Sequence, residues 1–488
     1  MTERTGISIR KIQTRAQPRL RFVFVVVIAL IAGGCASLRS YQAELSRTLD
    51  LARVGEPGRA LETYESFNKR DRKSLLYHLE KGELLRLAGR YQESQQEWLE
   101  ADAYVQKWED AGLSNPERLL GAAASLLVND ASRPYEGEDY EKVMLTTRMA
   151  LNHLALGEWD KARVAIKRTH EREALVARLR ETQVREIEEK SEGKALRSFR
   201  ELDGYPVKTI DSPEVNALRN SYQSAFSHYL AGYVYEALGE PSLAAAGYRQ
   251  AIELQPGAPL LDQALSGLDA RVSDRDSGLT ELLVVIESGA APARSSVNIN
   301  LPVPSSAGML LVPISFPAIR EEQYAARAHS VSLDGTGTSN VATLTSIDLM
   351  ARRSLRDEMP WIMLRAITRA TAKGVLQAQA RKRDDTGLAG ALAIIGSIIT
   401  ERADERSWRT LPAEIAIARA EVAPGTHTLE IDTGGKRHSF EVNVGGRYAL
   451  IAVRLLGNRA YLSATPAVPG QQVKSDPNRT AAQRIALR

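Results

Sequence analysis

Two hydrophobic periods divide the chain. Up to about residue 272 apolar residues return at the spacing of helix faces; beyond about Asp274 they alternate or cluster as strands do. The clearest helical unit is Ser227–Pro256, SHYLAGYVYEALGEPSLAAAGYRQAIELQP. Its pattern predicts two antiparallel helices. Gly232, Ala244 and Ala251 are small enough for close approach, Tyr235 and Tyr248 fill the gaps, Gly239 turns the chain and Pro256 ends the second helix. Weaker copies run over Leu76–Ala101 (Gly82, Leu85, Gly89, Trp98, Ala101) and Thr146–Thr169 (Ala150, Gly157, Ala162, Ile166), with a half copy at Leu51–Phe67 (Gly55, Ala60, Tyr64). The turn glycines Gly55 and Gly89 are separated by one period of about 34 residues, and Gly157 follows after about two more. The copy expected over Lys107–Tyr140 is degenerate. Glu158–Glu201 is dense in charge with sparse apolar positions (Val176 and Leu179 among them), which predicts a long, largely solvated helix. Gly204–Pro213 reads as a linker.

The second half begins with Thr280–Glu287 (TELLVVIE), a short apolar run of the kind that forms a buried strand. Ser296–Asn300 and Met309–Ser315 are extended pieces punctuated by Pro302, Pro304, Pro313 and Pro317. His329–Leu333 and Asn340–Ile347 predict further strands, with glycine-rich Leu333–Ser339 as a loop. Arg352–Arg383 predicts a helix, and Leu388–Arg402 a second, buried one. Trp408–Leu456 predicts a β-meander with turns at Pro424–Gly425, Thr433–Lys436 and Gly445–Gly446. Residues after about Pro469 lack apolar periodicity and are expected to be disordered.

These patterns carry two resemblances. The 34-residue units resemble tetratricopeptide repeats, and the C-terminal meander resembles the small PEGA-like β-modules of bacterial envelope proteins. The expected fold class is therefore α+β: an N-terminal all-α helical-hairpin solenoid, a mixed α/β region, and a C-terminal antiparallel β-module. The expected division is 1–34 leader, 35–272 repeat domain, 273–403 mixed region, 404–468 β-module and 469–488 tail.

The N-terminus sets the expected location. Arg10, Lys11, Arg15, Arg19 and Arg21 precede an apolar run from Phe22 to Ala32. At about 11 residues, that run is short of the roughly 20 a spanning helix needs and fits a cleaved secretory signal. Its end, Ile31-Ala32-Gly33-Gly34-Cys35, resembles the bacterial lipobox, which implies that Cys35 is acylated and becomes the mature N-terminus. Ala36 and Ser37 follow in place of an aspartate. In Gram-negative bacteria that favours the outer membrane, with the protein facing the periplasm. The first repeat helix is expected a few residues later, so the solenoid should sit near the membrane and the β-region should reach outward.

Composition narrows the chemistry. The 488 residues carry 64 basic and 60 acidic side chains, for a formal net charge of +4, and no basic stripe suggests nucleic acid. Cys35 is the only cysteine, so once acylated it leaves no disulfide, thiolate metal site or thiol nucleophile. None of the seven histidines pairs with another at metal-ligand spacing, and there is no HExxH, nucleophile elbow or phosphate-binding loop. No metal, cofactor or catalytic residue is expected. Asp404, Glu405 and Arg406 beside Trp408 read as a structural charged knot.

The whole chain resembles a family of uncharacterised, repeat-containing bacterial envelope lipoproteins. The resemblance is carried by the box Arg133–Lys142 (RPYEGEDYEK), Ala150–Gly157, Val285–Gly289 and Arg406–Pro412 (RSWRTLP). It implies no known activity. Members are sometimes encoded near activators of peptidoglycan synthases. The expected role is an envelope-anchored interaction scaffold, with the solenoid's concave groove taking a protein partner. Tyr104, Tyr135, Glu136 and Tyr140 are the candidate contacts, since aromatics concentrate in interface centres. The oligomeric state stays open. The alternative is a cell-wall enzyme or glycan-binding protein with its site in 280–402, which requires acids such as Asp334, Asp348 and Glu358 to converge.

Overall fold

The computed structural model describes residues 41–69, 73–114, 133–190, 206–274, 278–305, 308–320, 327–383, 403–464 and 466. Cys35, the leader, the expected helix at 388–402 and the tail lie outside them.

The described chain is α+β, with a helical N-terminal region and C-terminal sheets. Four helical hairpins come first: α1 (Tyr41–Arg53) with α2 (Pro57–Phe67), α3 (Leu75–Leu87) with α4 (Tyr91–Ser114), α5 (Asp139–Ala155) with α6 (Trp159–Lys190), and, after short helices α7 (Val207–Ile210) and α8 (Pro213–Ala217), α9 (Ala225–Ala237) with α10 (Pro241–Leu254). The linker expectation over 204–213 is thus corrected at α7. The turn glycines Gly55, Gly89, Gly157 and Gly239 all have positive φ, between 74° and 94°, a conformation only glycine adopts cheaply. Helix approach is set by the small residues. A Cβ on Gly247 would lie 2.7 Å from the Gly232 backbone nitrogen, and one on Gly232 would meet the Tyr248 ring at 2.5 Å. Helices α11 (Pro259–Ser266) and α12 (Leu268–Ser273) close the series.

The rest is two stacked sheets, a ribbon and one long helix. The strands are β1 (Thr280–Ser288), β2 (Arg294–Ser305), β3 (Gly308–Ile319), β4 (Ser330–Leu333), β5 (Thr336–Asn340) and β6 (Ala342–Ser346). After α13 (Ile347–Arg383) come β7 (Glu414–Val422), β8 (Gly425–Asp432), β9 (Arg437–Val444), β10 (Tyr448–Leu456) and β11 (Arg459–Ala464). The first sheet runs β11-β10-β1-β7-β6 and the second β5-β4-β8-β9, while β2 and β3 form a separate ribbon. The glycine-rich 333–339 stretch is no open loop but the tight β4–β5 hairpin, turning at Asp334 and Gly335 with φ of 52° and 66°.

Strand β1 organises this half. It pairs parallel with β10 and antiparallel with β7. All of its residues are buried, as a continuous apolar run predicts for a strand covered on both faces. Leu282, Val284 and Ile286 face the second sheet and pack with Val331, Leu333, Leu429, Ile431, Val442 and Val444. Leu283 and Val285 face the helices and join their core.

Three expectations are corrected here. The boundary at 403/404 does not exist, because β1, from one side of it, is flanked by β7 and β10 from the other. The meander is split between two sheets, and its last major strand pairs parallel with β1 rather than only antiparallel with its sequence neighbours. The β-region does not reach away from the helices, because the first sheet packs against them and shares their core. Tyr233 of α9 places its hydroxyl 2.7 Å from the carbonyls of Glu281 and Ala449. Arg148 of α5 bonds Glu83 of α3 through Nη2 at 2.6 Å and pairs with Glu287 of β1 through Nη1. Helix α6 is likewise less solvated than its charge suggests, since Thr169, Arg172, Glu173 and Val176 are buried.

Candidate functional site

With one face of the helices covered by the first sheet, an open concavity remains where the helical hairpins meet β2 and α13. It is a cavity of about 230 Å³ between the 133–142 box, α4, α6, β2 and α13. The two stretches that dominate the sequence resemblance meet beside it. Glu141 accepts the Trp408 N–H at 2.7 Å and the Glu138 N–H at 3.0 Å, and its carboxylate also takes the Tyr135 hydroxyl. Arg406 donates to the Arg133 carbonyl at 2.7 Å and lies over the Tyr135 ring, 5.4 Å from its centroid. Trp408 packs edge-on against Trp98, with centroids 6.1 Å apart. The box is therefore clamped from behind while its Glu136–Asp139 side lines the cavity.

The lining is charged on one side and apolar on the other. Glu138 and Asp139 stand at the start of α5, where the helix dipole favours carboxylates. Arg294, at the head of β2, donates Nη1 to Glu138 at 2.6 Å. Arg180 of α6 pairs with Asp139, and with Glu358 of α13 at 2.6 Å. Lys142 caps the Gly137 carbonyl at 2.7 Å and sits 3.8 Å over the Trp108 ring. Val176, Leu179, Trp361 and Ile362 supply the apolar wall.

These contacts split the acids. Burial pushes the Glu138 carboxyl up, but the Arg294 charge, the hydrogen bonds from Arg294 and Ser354, and the Lys142 charge together hold the group below its usual range. Asp139 is likewise held low against burial by Arg180 and Lys142. Glu358 goes the other way, raised by burial and by the neighbouring Glu138 charge. Arg294 keeps part of its donor set unused. Its Nε and Nη2 have no hydrogen-bond partner although the side chain is only 5% exposed. Those two N–H groups form one edge of the guanidinium, the geometry that grips an oxyanion in two parallel bonds.

The four expected contact residues separate. Tyr135 and Glu136 line the cavity, Glu136 exposed at its rim. Tyr140 is 1% exposed and belongs to the core, so it is withdrawn as a contact. Tyr104 lies one helical turn before the lining residue Trp108, and its hydroxyl is bonded to the Lys73 carbonyl. The acids named for an enzyme do not converge. Asp334 bonds His427 at 2.7 Å in the second sheet, Asp348 pairs with Arg352 one turn along α13, and only Glu358 reaches the cavity. Among the described residues, no cluster of histidine, cysteine and acidic side chains is placed to hold a metal, and no helix is long and apolar enough to cross a membrane. Sequence reasoning missed Arg180, Arg294 and Trp361. Each is one polar or aromatic residue in a patterned element, and only the fold brings them to the box.

No family model matches the chain, and no curated protein matches it. Among solved structures it is similar to a tetratricopeptide repeat protein from Parabacteroides merdae ATCC 43184. The match is 15% identical and covers 47% of this chain and 98% of that one, with a TM-score of 0.13.

Proposed function

We propose that this chain is a lipid-anchored envelope protein, held at the outer membrane through acylated Cys35 and facing the periplasm, that works as an interaction scaffold in envelope assembly. It takes its partner at the box cavity and not on the helix faces that its own sheet covers. The anchor and location are supported by the leader pattern that ends at Cys35. The site is supported by one observation above the rest: Arg294, whose buried Nε and Nη2 have no hydrogen-bond partner, lines a cavity with an aromatic wall. A buried donor without a partner costs about 1–3 kcal/mol, so it is retained where a ligand fills it. The partner group this edge recognises is acidic, a side-chain or terminal carboxylate carried on an apolar segment.

The test is site-directed photocrosslinking in cells. A photoreactive residue at Glu136 should give a discrete partner adduct, whereas one at Leu243, exposed on α10, should not. The Glu136 adduct should weaken at least several-fold in Arg294→Lys, which keeps the charge beside Glu138 but loses the planar edge. An adduct that is indifferent to Arg294→Lys, or one formed only from Leu243, overturns the site. An unacylated Cys35 in the intact mass spectrum overturns the anchor.

A further inference from the structure

A second cluster of arginines lies at the seam between the solenoid and the first sheet, outside the box cavity. Three guanidinium groups are buried there together, Arg86 of α3, Arg148 of α5 and Arg454 of β10, at 7%, 0% and 4% exposure. Only two carboxylates accompany them, Glu83 and Glu287, and both are engaged by one arginine. Arg148 donates Nε and Nη2 to Glu83 at 3.1 and 2.6 Å. It also bonds Glu287 through Nη1, and through Nη2 at 3.2 Å. Arg86 gives Nη1 to the Asn152 side chain at 2.6 Å and lies 5.7 Å from the Tyr91 ring centroid. Arg454 has one bond, Nη2 to the Thr410 carbonyl at 2.9 Å, while its Nε and Nη1 have no partner.

The local count is therefore one positive charge too many, in a place where water is largely excluded. An uncompensated buried cation is strongly unfavourable, and arginine does not escape by losing its proton at neutral pH. Burial, with Arg148 and Arg86 alongside, pulls Arg454 down to about 10 against the attraction of Glu83 and Glu287, still well above neutrality. Arg86 is lowered by burial and by the charge of Arg148. Beside this cluster is a cavity of about 250 Å³, lined by Arg86, Arg454 and both carboxylates, Glu83 and Glu287, together with Tyr91 and Tyr461.

We propose that this cavity is a binding site for a small inorganic anion, of chloride to phosphate size, held between Arg454 and Arg86. The anion supplies the missing negative charge and takes one of the unused Arg454 donors, Nε–H or an Nη1 hydrogen, which point to different edges of the guanidinium. It also bridges α3 to β10 and so ties the helical region to the sheet. The site does not depend on the partner reading of the box cavity.

The test is a sign change. In the full chain, Arg454→Met removes the surplus charge and keeps most of the apolar stem. Thermal unfolding is followed in buffers of fixed ionic strength in which gluconate, too bulky for the cavity, is exchanged stepwise for chloride or phosphate. In gluconate the variant should match or exceed the wild type. With rising chloride or phosphate the wild type should gain stability along a saturating curve and overtake the variant. A difference between the two proteins that does not change with anion overturns the proposal. Should Arg454→Met fail to fold, bromide soaked into crystals of the wild type gives the answer by anomalous scattering. A peak within bonding distance of Arg454 Nε or Nη1 supports the site, and its absence at saturating bromide overturns it. Chloride and phosphate arms that saturate at different concentrations identify which anion the site prefers.

Discussion

Gly232 and Gly247 show how single residues set this fold. They face one another across the α9–α10 hairpin, so the two backbones touch where side chains would otherwise stand. A Cβ on Gly247 would lie 2.7 Å from the Gly232 nitrogen and 2.9 Å from the His228 carbonyl oxygen. Neither is the end of a flexible side chain, so the helices must part. Gly239, in the turn of the same hairpin, has φ of +76°, and a Cβ there would meet nothing within 4 Å. Alanine at that turn costs only the left-handed backbone, about 1–2 kcal/mol. Gly247→Ala carries overpacking of a full core contact, about 1–3 kcal/mol or more. Urea unfolding should therefore rank Gly247→Ala below Gly239→Ala, with both below the wild type. A reversed order means that the hairpin is not held by backbone contact. Gly232 and the Gly239 turn were legible in sequence from their spacing in the repeat, whereas Gly247 was not, because it lies outside the positions the repeat marks as small. The role of Arg294 was not, because nothing local marks a strand-initial arginine as a cavity wall.

At the scale of elements, the segment 406–412 is the clearest case of a loop folded by another element's carboxylates. Glu80 of α3 accepts the N–H groups of Arg409 and Thr410 at 2.7 and 3.0 Å, and the Tyr41 hydroxyl at 2.5 Å. Burial still dominates and raises the Glu80 carboxyl from 4.5 to about 7. A carboxyl raised in the folded state holds its proton more tightly there than in the unfolded chain. Its stabilising contribution is thus full below about 4.5 and is lost as pH rises through about 7. Glu287 has the opposite sign. Held at about 2 by Arg148 against burial, its contribution is present above 4.5 and lost only as pH falls towards 2, outside that window. Between pH 4.5 and 7 the wild type should therefore lose stability relative to Glu80→Gln, by up to about 3 kcal/mol. Parallel curves in denaturant titrations across that range would show that Glu80 stays ionised. The pattern of strands was largely readable, including the proline-punctuated pieces that became β2 and β3. Their partners were not. Period-two alternation says which face a residue takes but not which strand lies beside it. The apolar run of β10 reads from sequence only as the last piece of a meander, and its parallel pairing with β1, across most of the β-region, has no local signature. The short β5, polar and glycine-containing, carried no strand signal at all.

The whole molecule departs most from the sum of its elements. Helical hairpins in series suggest a domain that folds alone and leaves its inner surface for others, with a β-module appended. Here that surface is already occupied. Leu283 and Val285 of β1, and Leu450 and Ala452 of β10, share one core with Phe226, Leu230 and Leu151 of the helices. Buried charge crosses the same seam. Glu236 of α9 is held at about 2, against burial, by Arg419 of β7 and Arg271 of α12. Cutting the chain after the helices would expose that apolar face and leave Glu236 without Arg419. It would also strand Arg148 with one of its two carboxylates. Removing one partner of a buried pair costs about 3–5 kcal/mol, against a total stability of about 5–15 kcal/mol for a typical protein. A fragment covering 41–272 should therefore fail to fold, with weak near-ultraviolet dichroism, strong dye binding and aggregation. The full chain should unfold in one transition when tryptophan fluorescence and far-ultraviolet dichroism are compared. A 41–272 fragment that unfolds cooperatively by itself, or two separated transitions in the full chain, would restore the solenoid as an independent unit with a groove to offer.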